Sequence, residues 1–161
     1  MTVREYNQCV EDHADGVYRF ILKNLKDEEN ARDIVQEAFT KMWEKARDIT
    51  SEKAKSYLFT AAYHTMIDFI RKQKNKESYR DFYQAEKSYE TSYSDLKEVL
   101  DEALAKLPDV QRSVVLLRDY EGYSYNEIGE IMNLNESQVK VYIYRARIAM
   151  KNYLVSMDVV I

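Results

Sequence analysis

Residues 108–151 read PDVQRSVVLLRDYEGYSYNEIGEIMNLNESQVKVYIYRARIAMK, and this stretch decides the fold because several of its residues mark helix ends. Pro108 suits the first turn of a helix, where its missing N–H group would have no partner within the helix. Gly122 readily adopts the left-handed conformation that ends a helix. Ser124 and Glu127 have the spacing of a capping box. The sequence therefore predicts one helix that ends near Gly122 and another that begins after Ser124.

The chain then turns sharply into a further helix. Asn133 tolerates the positive φ of a tight turn, and Asn135 and Gln138 repeat the capping-box spacing a few residues later. Four apolar residues would face inward from the two helices: Ile128, Leu134, Val139 and Ile143. Two helices joined by a tight turn over a shared apolar row predict a helix-turn-helix.

The second helix of this motif is basic. Its outward side carries four cations and two tyrosines, namely Lys140, Arg145, Arg147 and Lys151 with Tyr142 and Tyr144. Glu136 is its only acidic residue. A recognition helix needs cations for phosphates and side chains that reach base edges, whereas a solvated basic face on an ordinary amphipathic helix is the alternative. The doubly capped turn that precedes it favours contact with duplex DNA.

Composition limits the class of protein. The 161 residues include 3 glycines and 1 proline, and their long periodic segments favour an all-helical fold. The net charge of −4 is unexpected for a DNA-binding protein, so either the basic surface is local or the chain acts with a partner. Cys9 is the only cysteine and cannot form an intramolecular disulfide, which favours the reducing cytoplasm. No stretch has the length of a signal peptide or a membrane span.

Catalytic and metal-binding patterns are missing from the sequence. His13 and His64 are far apart, and no cluster of cysteine and histidine has metal-ligand spacing. There is also no glycine-rich phosphate loop and no nucleophile elbow. We therefore predict a protein that is not an enzyme and that uses neither a metal nor a cofactor.

Apolar periodicity predicts three N-terminal helices, at residues 4–25, 27–49 and 53–75. The third is the most apolar and ends in a basic run from Arg71 to Lys76. The helix dipole would account for some cations there, but a run this dense is at least as consistent with phosphate contact. A further helix, with an acidic exposed face, would run from a cap at Ser94 to Leu107.

These patterns predict an all-α protein with two small helical domains, the C-terminal one a four-helix helix-turn-helix domain. The domains would comprise residues 1–75 and 95–161, joined by a linker at 76–94 where the apolar periodicity fails. The linker is rich in tyrosine, with Tyr79, Tyr83, Tyr89 and Tyr93. Its rings could stack on single-stranded bases, but packing on the surface that the linker crosses is the favoured interpretation.

Three separated blocks share one resemblance. The first is DIVQEAF at 33–39, followed by Met42-Trp43, and the second is AYHTMIDFIR at 62–71, similar to an A-x-N-x-x-x-D-x-x-R pattern. The third extends from Leu107 to Arg147 and includes the helix-turn-helix. In this order, covering nearly the whole chain, the blocks resemble the bacterial RNA polymerase sigma factors, specifically the small extracytoplasmic-function class.

The resemblance implies a role for each block. The first would dock on the largest polymerase subunit, through Asp33, Gln36, Glu37, Phe39, Met42 and Trp43. The second, with the loop at 48–56, would capture unstacked bases of the −10 element and help melt the promoter, through Lys53, Lys55, Tyr57, His64, Asp68, Arg71, Lys72 and Lys74. The third would read the −35 element, through Ser137, Gln138, Lys140, Val141, Tyr144 and Arg145, with Arg147 and Lys151 on phosphates.

The resemblance also implies partners. Core RNA polymerase and promoter DNA are the expected ones, with an anti-sigma factor as a regulator and no integral membrane segment in this chain. Polymerase would supply most of the affinity for DNA, which would explain an acidic protein with two basic patches. The linker would pass toward the RNA exit path of the polymerase.

Four residues depart from the pattern of the family. His64 stands where the family usually has Asn, and Tyr57 where Trp is common. In the helix-turn-helix, Asn133 replaces a frequent Gly and Gly129 replaces a customary Ala. Because imidazole and carboxamide present different donors and acceptors, His64 affects which base the −10 module prefers.

Two other classes of protein remain as alternatives. A free-standing regulator would bind an operator through the helix-turn-helix and use residues 1–75 to sense or dimerise. It would bind specific DNA without polymerase, whereas a sigma factor should require core polymerase. A helical adaptor would bind only protein, which the acidic charge favours and the basic recognition helix opposes.

Overall fold

The computed structural model describes residues 1–77 and 96–157, and no strand occurs in those two ranges. Within them, the α-helices are α1 (Val3–Leu25), α2 (Glu28–Glu44), α3 (Ala54–Glu77), α4 (Leu96–Ala105), α5 (Asp109–Val115), α6 (Tyr125–Met132) and α7 (Glu136–Ser156). Helix α5 continues into a π-helical segment, Leu116–Tyr120. The predicted all-α class with two helical domains is confirmed. None of the helices in the described ranges is long and apolar enough to cross a membrane.

Helices α1, α2 and α3 pack around one apolar core. Thr2 and Glu5 form a capping box that begins α1, and the Asp27 side chain accepts a hydrogen bond from Asn30 N at 3.1 Å to begin α2. Side chains from all three helices are fully buried: Val17, Phe20, Ile21, Ala31, Ala38, Met42, Leu58, Phe59 and Met66. Burial of this apolar surface is the main force that holds the three helices together.

The connection between α2 and α3 differs from the prediction. Helix α2 ends at Glu44 instead of reaching residue 49, and two 3-10 helices follow, Ala46–Asp48 and Ser51–Lys53. The ammonium group of Met1 donates hydrogen bonds to the carbonyl oxygens of Ala46 and Ile49, at 2.9 and 2.8 Å. The segment forms 3-10 hydrogen bonds, such as that from Ile49 N to Ala46 O at 3.4 Å, and the Met1 ammonium group is a further partner for two of its carbonyl groups.

The C-terminal helices begin and end near the residues that marked them in the sequence. Gly122 has φ +76° after the π-helical segment, and Asn133 has φ +55° after α6. Both predicted capping boxes are present, Ser124 with Glu127 before α6 and Asn135 with Gln138 before α7. Pro108 occupies the cap position of α5, one residue before its first turn.

The two helical domains pack directly against each other. The C-terminal domain lies on α1 and α3, and the rings of Phe59 and Tyr123 meet edge to face with their centroids 5.0 Å apart. Helix α3 extends to Glu77, so the first two residues of the predicted linker are helical. The remainder of that linker, with its four tyrosines and the predicted cap Ser94, lies outside the described residues.

Candidate nucleic-acid and polymerase interfaces

Helix α7, the predicted recognition helix, is fixed in place along one side. Val139, Ile143, Ala146 and Leu154 are buried against the rest of the domain, which leaves the opposite side in solvent. The capping box holds its first turn, with Gln138 N donating to Asn135 Oδ1 at 2.8 Å. A helix of this length with one anchored side presents its other side as a rigid surface.

The turn before α7 depends on Gly129. A Cβ atom at this position would lie 2.5 Å from the carbonyl oxygen of Leu134, which is backbone and cannot turn aside. Leu134 N also donates to Gly129 O at 2.9 Å, so the two residues approach each other closely. Asn133 meanwhile takes the left-handed conformation. Gly129 and Asn133, the two residues that depart from the family pattern in this motif, therefore shape the same turn. Gly129 lies where two backbone segments approach each other.

All eight predicted −35 residues are exposed on α7, but some of them already have partners. Gln138 Oε1 accepts from Asn135 N at 2.9 Å, and Lys140 Nζ lies 3.2 Å from Glu136 Oε1. Arg147 pairs with both carboxylate oxygens of Asp119, and hydrogen bonding to this carboxylate raises its pKa.

The other predicted −35 residues make no ion pair or side-chain hydrogen bond within the described ranges: Ser137, Val141, Tyr144, Arg145 and Lys151. Residues three and four apart lie on the same side of a helix, so 137, 141, 144 and 145 form a single exposed strip. This strip is available to contact a ligand without breaking a contact of the folded chain.

The predicted −10 residues fall on two sides of α3. His64, Asp68, Arg71 and Lys72 are exposed and share one side, because they are spaced by three, four or seven residues. Tyr57 lies on the same side, half-buried against the core. Lys53 precedes the helix and is exposed at the end of the second 3-10 helix. These six residues form the solvent side of α3.

Lys55 and Lys74 point the other way, toward the C-terminal domain. Lys55 Nζ lies 2.6 Å from Glu127 Oε2 and 4.5 Å from the centre of the Tyr123 ring. Lys74 Nζ lies 3.4 Å from Asp109 Oδ2. The ion pair with Lys55 lowers the pKa of Glu127, with a further contribution from the Ser124 backbone. The structure therefore does not bring these two lysines together with the other predicted −10 residues.

The predicted polymerase-binding residues lie mostly on the surface of α2. Asp33, Gln36, Glu37 and Trp43 are exposed, and Trp43 retains 51% of its surface. Met42 is the exception, since it is fully buried beneath α2. Including Met42 among the polymerase contacts was wrong, because a side chain inside the core cannot touch a partner.

Phe39 is half-buried at the edge of a groove between α1 and α2. The groove has a volume of about 760 Å³, and apolar side chains make up much of its lining: Tyr6, Tyr18, Val35, Phe39 and Trp43. The rings of Tyr6 and Trp43 meet edge to face at 4.9 Å, and Tyr6 Oη donates to Phe39 O at 3.0 Å. Tyr6 and Tyr18 of α1 were not among the predicted polymerase contacts. Nothing in the local sequence around them indicates that they pack beside α2.

Residues 1–77 and 96–157 contain no group of three or more histidine, cysteine, aspartate and glutamate side chains arranged to hold an ion.

Comparisons with known proteins match both domains. The family described as Sigma-70 region 2 matches residues 9–76, and Sigma-70, region 4 matches residues 97–150. The ECF RNA polymerase sigma factor SigM of Bacillus subtilis is 31% identical over 156 residues, which cover 94% of each chain. RNA polymerase sigma factor SigV of the same organism is 33% identical over 153 residues, covering 93% of this chain and 91% of SigV.

A solved structure has the same fold. The sigma factor RpoE of Bartonella quintana, crystallised with the anti-sigma factor NepR, has a TM-score of 0.78 at 22% identity and covers 94% of this chain and 98% of its own. The matches to SigM and SigV span almost the whole chain, and the two sigma-70 regions fall one on each helical domain. The chain therefore belongs to the extracytoplasmic-function sigma factors of bacterial RNA polymerase, which are promoter-specific transcription initiation factors and not enzymes.

Proposed function

We propose that this protein binds core RNA polymerase, recognises the −35 and −10 elements of its promoters and helps melt promoter DNA. One observation carries the proposal: a chain of this family presents two separate exposed faces, and each carries cations that make no ion pair among residues 1–77 and 96–157, namely Arg145 and Lys151 on α7 and Arg71 and Lys72 on α3. We propose residues 1–75 as the unit for polymerase binding and −10 recognition and 95–161 as the unit for −35 recognition. Residues 76–94 would link them.

The exposed strip of α7 supports −35 recognition. Arg145 makes no ion pair within the described ranges, and a guanidinium group there can contact a guanine through two hydrogen bonds. Lys151, one and a half turns further on, is suited to a phosphate. Arg147 can reach a phosphate only by leaving or sharing Asp119. Arg145 is therefore the proposed base contact and Lys151 the proposed phosphate contact.

The solvent side of α3 supports −10 recognition. Arg71 and Lys72 supply positive charge, and the exposed imidazole of His64 lies seven residues earlier on the same side. The His64 ring also lies 5.6 Å from the ring of Tyr63. An exposed aromatic ring next to cations is suited to an unstacked base with its phosphates. We propose that His64, Asp68 and Arg71 contact the non-template strand.

The surface of α2 supports polymerase binding. Asp33, Gln36 and Glu37 provide exposed polar groups beside the exposed Trp43, and the groove between α1 and α2 continues this apolar surface. Aromatic residues surrounded by polar ones are typical of the residues that dominate protein interfaces.

An anti-sigma factor is a further proposed partner. RpoE of Bartonella quintana, which shares this fold, was crystallised with one. We propose that this protein is likewise held by an anti-sigma factor and acts in the cytoplasm, where bacterial transcription takes place.

Run-off transcription tests the proposal. Core RNA polymerase with the full chain should start transcription from a defined subset of a promoter library, whereas neither component alone should do so. The double substitution Gln36→Ala with Glu37→Ala should weaken binding to core polymerase without changing the melting temperature, since surface substitutions cost little stability. Glu28→Ala with Glu29→Ala, also exposed on α2, is the matched control. Specific DNA binding by the chain alone, with no effect of polymerase, would contradict the proposal and favour a free-standing regulator.

A further inference from the structure

The exposed strip of α7 contains apolar side chains with little packing around them. Val141 retains 44% of its surface, Tyr144 66% and Ile148 41%. Residues 141, 144 and 148 are three and four positions apart, so they line one side of the helix. Single exposed apolar residues are ordinary, but three in register on the presented side of a recognition helix require a chemical explanation.

Duplex DNA offers one apolar group in its major groove. Guanine, cytosine and adenine present only hydrogen-bond donors and acceptors at their edges, whereas thymine adds a C5-methyl group. An apolar side chain that enters the groove therefore gains most from a position opposite thymine. Val141 and Tyr144 lie in the second and third turns of α7, in the N-terminal half that contacts base edges in helix-turn-helix proteins.

The polar residues nearby are partly committed elsewhere. Gln138 uses its carbonyl oxygen in the capping box, Lys140 pairs with Glu136, and Arg147 pairs with Asp119. Apolar contact therefore makes up a large part of what this strip can offer to base edges.

Charge indicates that the strip binds DNA and not another protein helix. Glu136 is the only acidic residue in the α7 sequence, whereas Arg145 lies beside Tyr144 on the same strip and Lys151 follows. Cations around an apolar centre complement a groove walled by phosphates.

We propose that Val141 and Tyr144 recognise the C5-methyl groups of two neighbouring thymines in the −35 element. The inference rests on the proposed function, because it assumes that α7 enters the major groove. Side chains three residues apart on a helix have Cβ atoms about 5–6 Å apart. Neighbouring base pairs are offset by a rise of about 3.4 Å and also by about a tenth of a turn of twist, which moves their edges sideways, so one step matches this spacing better than two. Two adjacent thymines therefore match the two side chains better than separated ones.

Deoxyuridine substitution tests the proposal, because uracil differs from thymine only by lacking the methyl group. A promoter is first chosen by run-off transcription. It is then prepared with each −35 thymine replaced in turn by deoxyuridine. Open-complex formation on each template is measured with core polymerase and the full chain. At two neighbouring thymines the loss should be about fourfold, the effect of one buried methyl group. Val141→Ser removes both methyl groups of the side chain, and should abolish the loss at one thymine. Tyr144→Ala should abolish it at the other.

Val155→Ala is the matched control, since Val155 is 62% exposed on the same helix but about three turns beyond Tyr144. It should keep the wild-type response to uracil. If wild type tolerates uracil at every −35 position while still requiring a −35 element, the inference fails and the proposed function stands. If no −35 element is required, both fail. Variants that respond to uracil like wild type, or that instead lose affinity for core polymerase, also overturn the thymine assignment.

Discussion

The two sides of α3 carry similar cations in different surroundings. On the solvent side, Arg71 and Lys72 are exposed and make no ion pair within the described ranges. On the other side, Lys55 and Lys74 are paired with Glu127 and Asp109 of the C-terminal domain. One helix therefore offers positive charge to an external partner and also uses it to hold its own second domain.

The four side-chain ion pairs that join the domains within residues 1–77 and 96–157 have the same polarity. Among the described residues, the N-terminal domain supplies Arg19, Lys23, Lys55 and Lys74, and the C-terminal domain supplies Glu121, Asp101, Glu127 and Asp109. Separating the domains would expose cations on one and carboxylates on the other. A phosphate that approached Lys55 or Lys74 would therefore have to compete with a C-terminal carboxylate, whereas a phosphate at Arg71 or Lys72 would not.

The largest expected effect is at Phe59, on the docked side of α3. Phe59 is fully buried between Phe20 and Tyr123, with ring centroids 6.0 and 5.0 Å away. Phe59→Ala should lower the free energy of unfolding by about 3–5 kcal/mol, because it leaves a cavity in the core. His64→Ala, on the exposed side, should change it by no more than about 0.5 kcal/mol. Urea denaturation compares the two, and similar losses would mean that the two sides do not differ as described.

The interdomain ion pair of Arg19 with Glu121 should show the next largest effect. Arg19 donates to both carboxylate oxygens at 2.7 and 2.8 Å, and the Glu121 side chain is only 5% exposed. Glu121→Gln should lower the free energy of unfolding by about 1–2 kcal/mol, because it weakens a charge-assisted contact whose carboxylate is buried while the Arg19 side chain is 51% exposed. Glu28→Gln removes an exposed pair with Arg32 on α2 and should cost at most about 0.5 kcal/mol.

The solvent side of α3 should bind DNA through charge. Arg71→Ala with Lys72→Ala should weaken open-complex formation about tenfold at moderate salt. The plot of log affinity against log salt concentration should become shallower by about 1.4, because two phosphate contacts to a single strand are lost. Arg4→Ala with Lys45→Ala is the matched arginine–lysine control, since both residues are exposed and belong to none of the predicted contacts. An unchanged salt slope in the first variant would mean that its cations do not contact phosphates.

Much of the C-terminal fold could be predicted because its signals are local. Each capping box, Gly122 and Asn133 determine backbone conformation within a few residues of themselves, and all are found where the sequence placed them. The end of α2 could not be predicted, because the terminal ammonium of Met1 binds carbonyl groups 45 and 48 residues away.

In the candidate site, too, the features set by local sequence could be predicted and those set by distant contacts could not. The spacing of His64, Asp68, Arg71 and Lys72 predicts a shared side, and the structure has it. Lys72 and Lys74 both lie near the end of α3. Lys74 contacts Asp109, a residue 35 positions later in the chain, whereas Lys72 makes no ion pair within the described ranges. Local sequence shows how many cations a helix carries, whereas the direction each one faces depends on which distant carboxylate packs beside it.

The smallest expected effect is a pH dependence at the contact between Lys55 and Glu127. The hydrogen bond from Lys55, followed by that from the Ser124 backbone, lowers the pKa of Glu127 below its usual value near 4.5. The unfolded chain therefore binds this proton more readily than the folded protein, and the contact stabilises the protein above about pH 4.5. That stability is lost as pH falls through the lower folded pKa. Melting temperatures measured from pH 6 to pH 3 should fall less steeply for Glu127→Gln than for wild type. Glu130→Gln, also on α6 but exposed, should follow the wild-type curve, and a Glu127→Gln curve parallel to wild type would mean that Lys55 does not stabilise the carboxylate.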